Sequence, residues 1–242
     1  IKPPKEKLDL LLPLAKKYNS RVMVDDAHGL GVMGKGGKGT AEHFGLTDKV
    51  DIIMGTFSKS LASIGGFVAA DEDIIFYLKH LSRILIFTAS PSPANVASVR
   101  TALKVIKNHP SRIKRLWKNT QKMRDGFRAL GFDIGKSDTP IIPIIIGDDE
   151  KVFQMWKILY EYGIFTTPIV SPATPPGRAL LRVSIMATHT NYHLDRTLEA
   201  FEVAGRELGV IDTNRPWIKK RRLNYNVFNI KQLRNWMDKL WR

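Results

Sequence analysis

Along this chain, apolar positions recur at helical spacing in some segments and bunch into short runs in others. Lys5 to Tyr18 carries Leu8, Leu11, Leu12 and Ala15 at the spacing of one helix face. Arg21 to Asp25 is a short apolar run ending in carboxylates, and Gly29 to Thr40 is glycine-rich, so a strand and a loop are predicted. Further strands are predicted at Asp51–Thr56, Gly65–Ala70 and Ile84–Thr88, with a helix over Asp71–Leu81. Strands alternating with helices predict an α/β layer with a largely parallel sheet. Ser92 to Ala129 reads as one or two long helices broken near His109-Pro110. Beyond it lie a strand at Ile141–Ile146, a helix at Asp149–Tyr162, a strand at Ala179–Ile185 and a helix at Asn191–Leu208. This second block predicts a smaller α+β domain joined to the first by the long helix.

Composition narrows the class. The 242 residues suffice for one large core or two modest domains. With 43% hydrophobic and 25% charged residues the chain is globular rather than disordered. No apolar run reaches the ~18 residues of a membrane span, and the start IKPPKEKLDL lacks a leader pattern. Because the chain opens with Ile1 on a helical segment, it is expected to be the tail end of a longer, cytoplasmic enzyme. The absence of cysteine excludes disulfides, thiolate nucleophiles and cysteine-based zinc sites. The formal net charge is +15. Residues Asp212 to Arg242 hold nine Lys/Arg against two Asp, a net of +7, which leaves +8 on the body. A basic body suits phosphates, coenzyme A, lipid headgroups or nucleic acid.

Candidate chemistry concentrates in two segments. In GTFSKSLASIGG, Gly55 to Gly66, a lysine follows an apolar strand among small hydroxyl residues. A lone lysine is usually a surface residue. Here small neighbours let a flat ring approach the backbone, and Thr56, Ser58 and Ser60 suit a phosphate. A desolvated lysine in such a place can bond covalently to a carbonyl. In VDDAHGLG, Asp25 ends one strand and His28 follows three residues later. Ligands collect at the carboxyl ends of parallel strands, so Asp25 and Lys59 can face one crevice although distant in sequence. Left to themselves, Asp25 could be a cap or surface charge and His28 a hydrogen-bonded loop residue.

The segments DDAH, GTFSKS, IFTASPSPA (Ile86 to Ala94) and PPGRALLRVSIMATHT (Pro175 to Thr190) come in this order. Together they resemble the α-oxoamine synthases, fold-type I enzymes that use pyridoxal 5'-phosphate; the likeness covers about Leu8 to Gly209. The wording of residues 28–67 is most similar to the serine-condensing bacterial branch. The resemblance implies residues 1–105 as the C-terminal part of a large cofactor-binding domain, 106–211 as a small C-terminal domain and 212–242 as a basic tail. Lys59 would bond to the cofactor and later move the substrate Cα proton. Asp25 would pair with the pyridine nitrogen, His28 with the ring oxygen, and Ala27 would lie close to the ring face. Thr56, helped by Ser58, would hold the phosphate, while Thr88 with Ser90 would reach the cofactor of a neighbouring subunit, making a homodimer with shared sites. Arg182 would clamp the amino-acid carboxylate with its planar fork. The implied reaction condenses an amino acid, L-serine foremost, with an acyl-CoA and releases carbon dioxide, giving an α-amino ketone; for serine this is 3-ketosphinganine, a sphingolipid precursor.

One departure stands out. The family's ring-stacking histidine lies upstream of Asp25, outside this chain, and the remaining histidines (His43, His80, His109, His189, His193) read as structural or surface residues. The 242 residues alone are therefore expected to be inactive. Other signals are weaker. Gly29, Gly31 and Gly34 spell G-x-G-x-x-G but do not open a helix directly, and GKGGKGT fails the P-loop spacing. No metal-ligand pattern appears. The tail, with KKRR at Lys219–Arg222 and Ile230, Leu233, Met237 and Leu240 at helical spacing, could lie on an anionic membrane, dock on the body or stay extended. Sister α-oxoamine synthases, a fold-type I aminotransferase and a basic nucleic-acid-binding protein are the alternatives. The last would bind DNA or RNA in a salt-dependent way, and no recognition motif supports it.

Overall fold

The computed structural model describes residues 5–213, with side chains from Leu10 onward; the basic tail lies almost wholly outside the described residues. The elements are α1 (Lys5–Lys17), β1 (Met23–Asp25), α2 (Thr40–His43), β2 (Ile52–Thr56), β3 (Gly66–Ala70), α3 (Glu72–Leu81), α4 (Arg83–Ile86), α5 (Pro93–Asn108), α6 (Ser111–Leu130), β4 (Ile141–Gly147), α7 (Asp149–Glu161), β5 (Thr167–Ile169), β6 (Ala179–Ser184) and α8 (Asn191–Glu207). Two compact units divide between Arg115 and Leu116, inside α6.

The first unit is built on a sheet of order β1-β2-β3. β1 and β2 pair in parallel, Asp25 opposite Met54, because the long connection through the glycine loop and α2 returns the chain to the same edge. The connection from β2 to β3 is short, so β3 pairs antiparallel, Thr56 opposite Gly66. At the amino end Asp51 ties the two parallel strands together, accepting from Val22 N–H at 2.7 Å and from Arg21 at 2.9 Å. Those two donors, the Val22 N–H first, hold the Asp51 carboxyl below its ordinary range. Buried Val22, Met33, Leu46, Leu61 and Val99 form this unit's modest core.

The segment Ile84–Thr88, predicted as a strand, instead begins as the short helix α4. Ser82 caps it by accepting from the Leu85 N–H, and the Thr88 hydroxyl donates back to the Ile84 carbonyl. A short apolar run reads alike as helix or strand, and local side-chain bonds decide it here. Its apolar residues face outward, with Ile84 83% and Phe87 85% exposed. The break near His109-Pro110 falls as predicted between α5 and α6. Ser92 caps α5, with Pro93 in its first turn.

The second unit packs helices on an antiparallel sheet of order β4-β6-β5. Strand alternation buries Ile142 and Ile144 from β4 and Ala179, Leu181 and Val183 from β6. Val152, Met155 and Leu159 line the inner face of α7 at helical spacing. Phe127, Phe132 and Phe201 meet edge to face, with ring centroids 4.9 to 6.0 Å apart. Thr190 and His193 form a capping box at the start of α8. The strand β5 escapes prediction because it is three residues long and contains Pro168.

Candidate active site

Parallel pairing brings the carboxyl ends of β1 and β2 side by side, which places Asp25 and Thr56 on one edge of the sheet. Asp25 is exposed and accepts a hydrogen bond from the Ala27 N–H at 2.9 Å. The chain then turns: the Asp26 carbonyl accepts from Gly29 and Leu30, leaving Ala27 and His28 half-buried in the turn.

Beyond β2 the chain makes a tight loop that returns to β3. The Phe57 N–H donates to Gly65 O, Ser63 N–H to Phe57 O, and Ala62 N–H to Lys59 O. Leu61, 1% exposed, anchors the loop from within, so Lys59 stands at its outer corner. The Lys59 side chain is exposed and makes no hydrogen bond or ion pair among the described residues. The Thr56 hydroxyl lies 3.2 Å from Gly65 O and 2.9 Å from the Ser58 hydroxyl. With Thr56 donating to Gly65, Ser58 donates to Thr56, and the Ser58 oxygen keeps its acceptor capacity on an exposed side chain.

The glycine loop abuts the lysine loop. A Cβ on Gly31, where φ is +78°, would lie 2.7 Å from the Ser60 Cβ, so only glycine allows this approach. Behind it sits Asp26, 4% exposed, a residue to which the sequence gives no separate role. Its carboxylate accepts from the Thr40 N–H at 2.8 Å and from the Thr40 hydroxyl at 2.6 Å. The doublet Asp25-Asp26 is the one signal in the sequence that marks it, and it does not say which carboxylate is buried.

Thr88 and Ser90 lie elsewhere, on the exposed segment after α4. Among the described residues their hydroxyls make no hydrogen bond to Thr56, Ser58 or Lys59. Arg182 belongs to the second unit. It stands on the central strand β6, paired with Pro143 and Thr167, on the face opposite Leu181 and Val183. Its Nε is buried and has no hydrogen-bond partner among the described residues. An unsatisfied guanidinium N–H is costly unless a ligand completes it. His189 and His193 each accept a backbone N–H at Nδ1, from Met186 and Thr190 respectively.

An unpartnered lysine and a carboxylate at adjacent strand ends, with two hydroxyls beside them, fit a ring-and-phosphate cofactor bonded through the lysine. A solved structure of SPT that holds PLP as an internal aldimine superposes with a TM-score of 0.80 at 36% identity over 84% of this chain and 52% of that one. A serine palmitoyltransferase of S. paucimobilis, with PLP joined to myriocin, superposes with a TM-score of 0.80 at 36% identity over 84% of this chain and 52% of that one. The fold is that of the fold-type I pyridoxal-phosphate transferases. The chain belongs to the family described as Aminotransferase class I and II, which it matches over residues 1–201. Relatives include a serine palmitoyltransferase of Sphingobacterium spiritivorum, 51% identical over 78% of this chain and 47% of that protein. An 8-amino-7-oxononanoate synthase of Thermosipho melanesiensis is 45% identical over 83% of this chain and 51% of that protein. These relatives accord with the likeness to α-oxoamine synthases carried by the motifs. The chain spans about half the length of the curated relatives it matches.

Proposed function

We propose that the full-length protein is a pyridoxal-phosphate-dependent acyltransferase that joins L-serine to a long-chain acyl-CoA. The observation that carries this reading is the unpartnered Lys59 at the corner of the loop after β2, beside the Asp25 end of β1, in a chain 48–51% identical to serine palmitoyltransferases. In the net reaction a C–C bond forms between the serine Cα and the acyl carbonyl carbon. Coenzyme A leaves as the thiol, and the serine carboxylate leaves as carbon dioxide. With palmitoyl-CoA the product is 3-ketosphinganine.

When bound, the cofactor supplies an electron-withdrawing ring that lowers the cost of negative charge at the substrate Cα. The residues do the rest. Lys59 would hold the cofactor through its amine, and that amine would take the substrate Cα proton. Asp25 would pair with the ring nitrogen and His28 with the ring oxygen, and the small Ala27 would leave room for the ring. Thr56 and Ser58 would hold the phosphate, each turning its hydroxyl proton from its present acceptor, Gly65 O and Thr56 respectively, toward it. Arg182 receives the substrate carboxylate, which would satisfy its buried Nε. Thr88 and Ser90 serve the neighbouring subunit's cofactor in a homodimer, for which the exposed Ile84 and Phe87 offer apolar contact surface.

Charge supports an anionic substrate. Between Asp73 and Asp125 there are eleven lysines and arginines and no acidic residue, and Arg100, Lys104 and Lys107 lie exposed on α5. Such a surface attracts the phosphates of coenzyme A. Peripheral contact with the inner membrane is assigned to the basic tail; no described helix is long and apolar enough to cross a membrane.

The test is release of carbon dioxide from carboxyl-labelled serine by the full-length protein with palmitoyl-CoA. Release that requires both substrates is expected. The 8-amino-7-oxononanoate synthases among the relatives favour one second reading, and turnover with alanine or glycine but not serine would establish it. Half-transamination with an oxo acid, independent of acyl-CoA, would instead mark an aminotransferase.

A further inference from the structure

Asp26 is a buried carboxylate with no paired cation among the described residues, and the proposed chemistry does not use it. Burying such a group is costly unless hydrogen bonds compensate. Both compensating bonds come from Thr40, one to each carboxylate oxygen. The fit around it is tight: a Cβ on Gly29 would lie 1.9 Å from Oδ1, and one on Gly39 1.9 Å from Oδ2. The carboxylate is thus wedged between the two ends of the glycine loop. At the same residue the backbone is tied to β2, since the Asp26 N–H donates to Met54 O at 2.8 Å.

We propose that Asp26 is a positioning residue for the cofactor-binding edge, acting through Thr40. Resting on the assignment of Lys59 and Asp25 above, the coupling runs in two directions. Asp26 directly follows β1, and its N–H bond to Met54 O carries the tie to β2 one residue past the strand end, so fixing Asp26 holds the backbone that presents the Asp25 side chain. Gripping Thr40 closes the glycine loop, whose Gly31 abuts Ser60, next to Lys59. One carboxylate therefore holds the ring-nitrogen partner and the cofactor-bonding lysine in register. The Thr40 hydroxyl is the part of this linkage that can be removed with least disturbance of shape.

The experiment uses the full-length protein and pyridoxal phosphate as the probe, with Thr40→Val, Asp26→Asn, the double variant and Thr40→Ser. Equilibrium cofactor affinity and the visible circular dichroism of the bound cofactor are read for each. In metal sites, losing a partner that orients a ligating side chain costs about tenfold or more in affinity, and a loss of that order is the expectation here. Thr40→Val and Asp26→Asn are expected to show such a loss with an altered dichroic band. The double variant should be no worse than the weaker single one, and Thr40→Ser should behave as wild type. Wild-type affinity and dichroism in Thr40→Val, or additive losses in the double variant, would overturn the proposal. Should Asp26→Asn fail to fold, the contrast of Thr40→Val with Thr40→Ser decides it alone. Failure of the wild type to bond the cofactor at Lys59 would overturn the underlying assignment, and this one with it.

Discussion

At the scale of single residues, identical side chains do opposite work. Asp25 and Asp26 are neighbours in the chain, yet one is exposed at the strand end and the other is sealed against Thr40. His189 shows how burial makes a side chain sensitive to pH. Burial first, then the neighbouring His193, pushes its pKa below the ordinary value. The unfolded chain therefore takes up a proton near pH ~6.5 that the folded form refuses, so stability is full above that pH and falls as pH drops below it. His189→Asn keeps an acceptor for the Met186 N–H but removes the titration. In urea denaturation the wild type should lose stability relative to this variant between pH 7 and pH 5, at roughly the pKa range of histidine; parallel curves would refute the idea. Lys59 and Asp25 are legible in the sequence because strand-end position and small neighbours set them apart. Asp26 is not, because a doublet of carboxylates does not say which one is buried.

At the scale of elements, the periodic segments are the legible ones. The helices α6 to α8 follow apolar spacing closely, since each buries one face against a core. Short elements follow neighbours and caps instead. Residues 84–88 turn helical through Ser82 and Thr88, and β5 exists because β6 offers it an edge. The core of the second unit depends on its aromatic triad. Phe127 and Phe201 are fully buried, so Phe127→Ala should cost about 3–5 kcal/mol. Thr190→Ala, which removes only the cap of α8, should cost about 0.5–2 kcal/mol. Denaturant midpoints at constant slope measure both, and an equal, small effect would show that the triad packs loosely. The antiparallel return of β3 follows from the short loop that carries Lys59, so the same turn that ends the parallel pairing also displays the lysine.

At the scale of the whole molecule, the two units differ in how fully they are packed. Side chains that are 0% exposed are numerous in the second unit, whereas large apolar residues stand exposed in the first, including Ile84 and Phe87. The central claim is a covalent one and can be measured without turnover. The full-length protein is mixed with pyridoxal phosphate, reduced with borohydride, digested and mapped by mass spectrometry. The predicted result is a pyridoxyl group on the peptide containing Lys59, lost in Lys59→Ala. A stoichiometric label on another lysine, with Lys59 unmodified, would contradict the account.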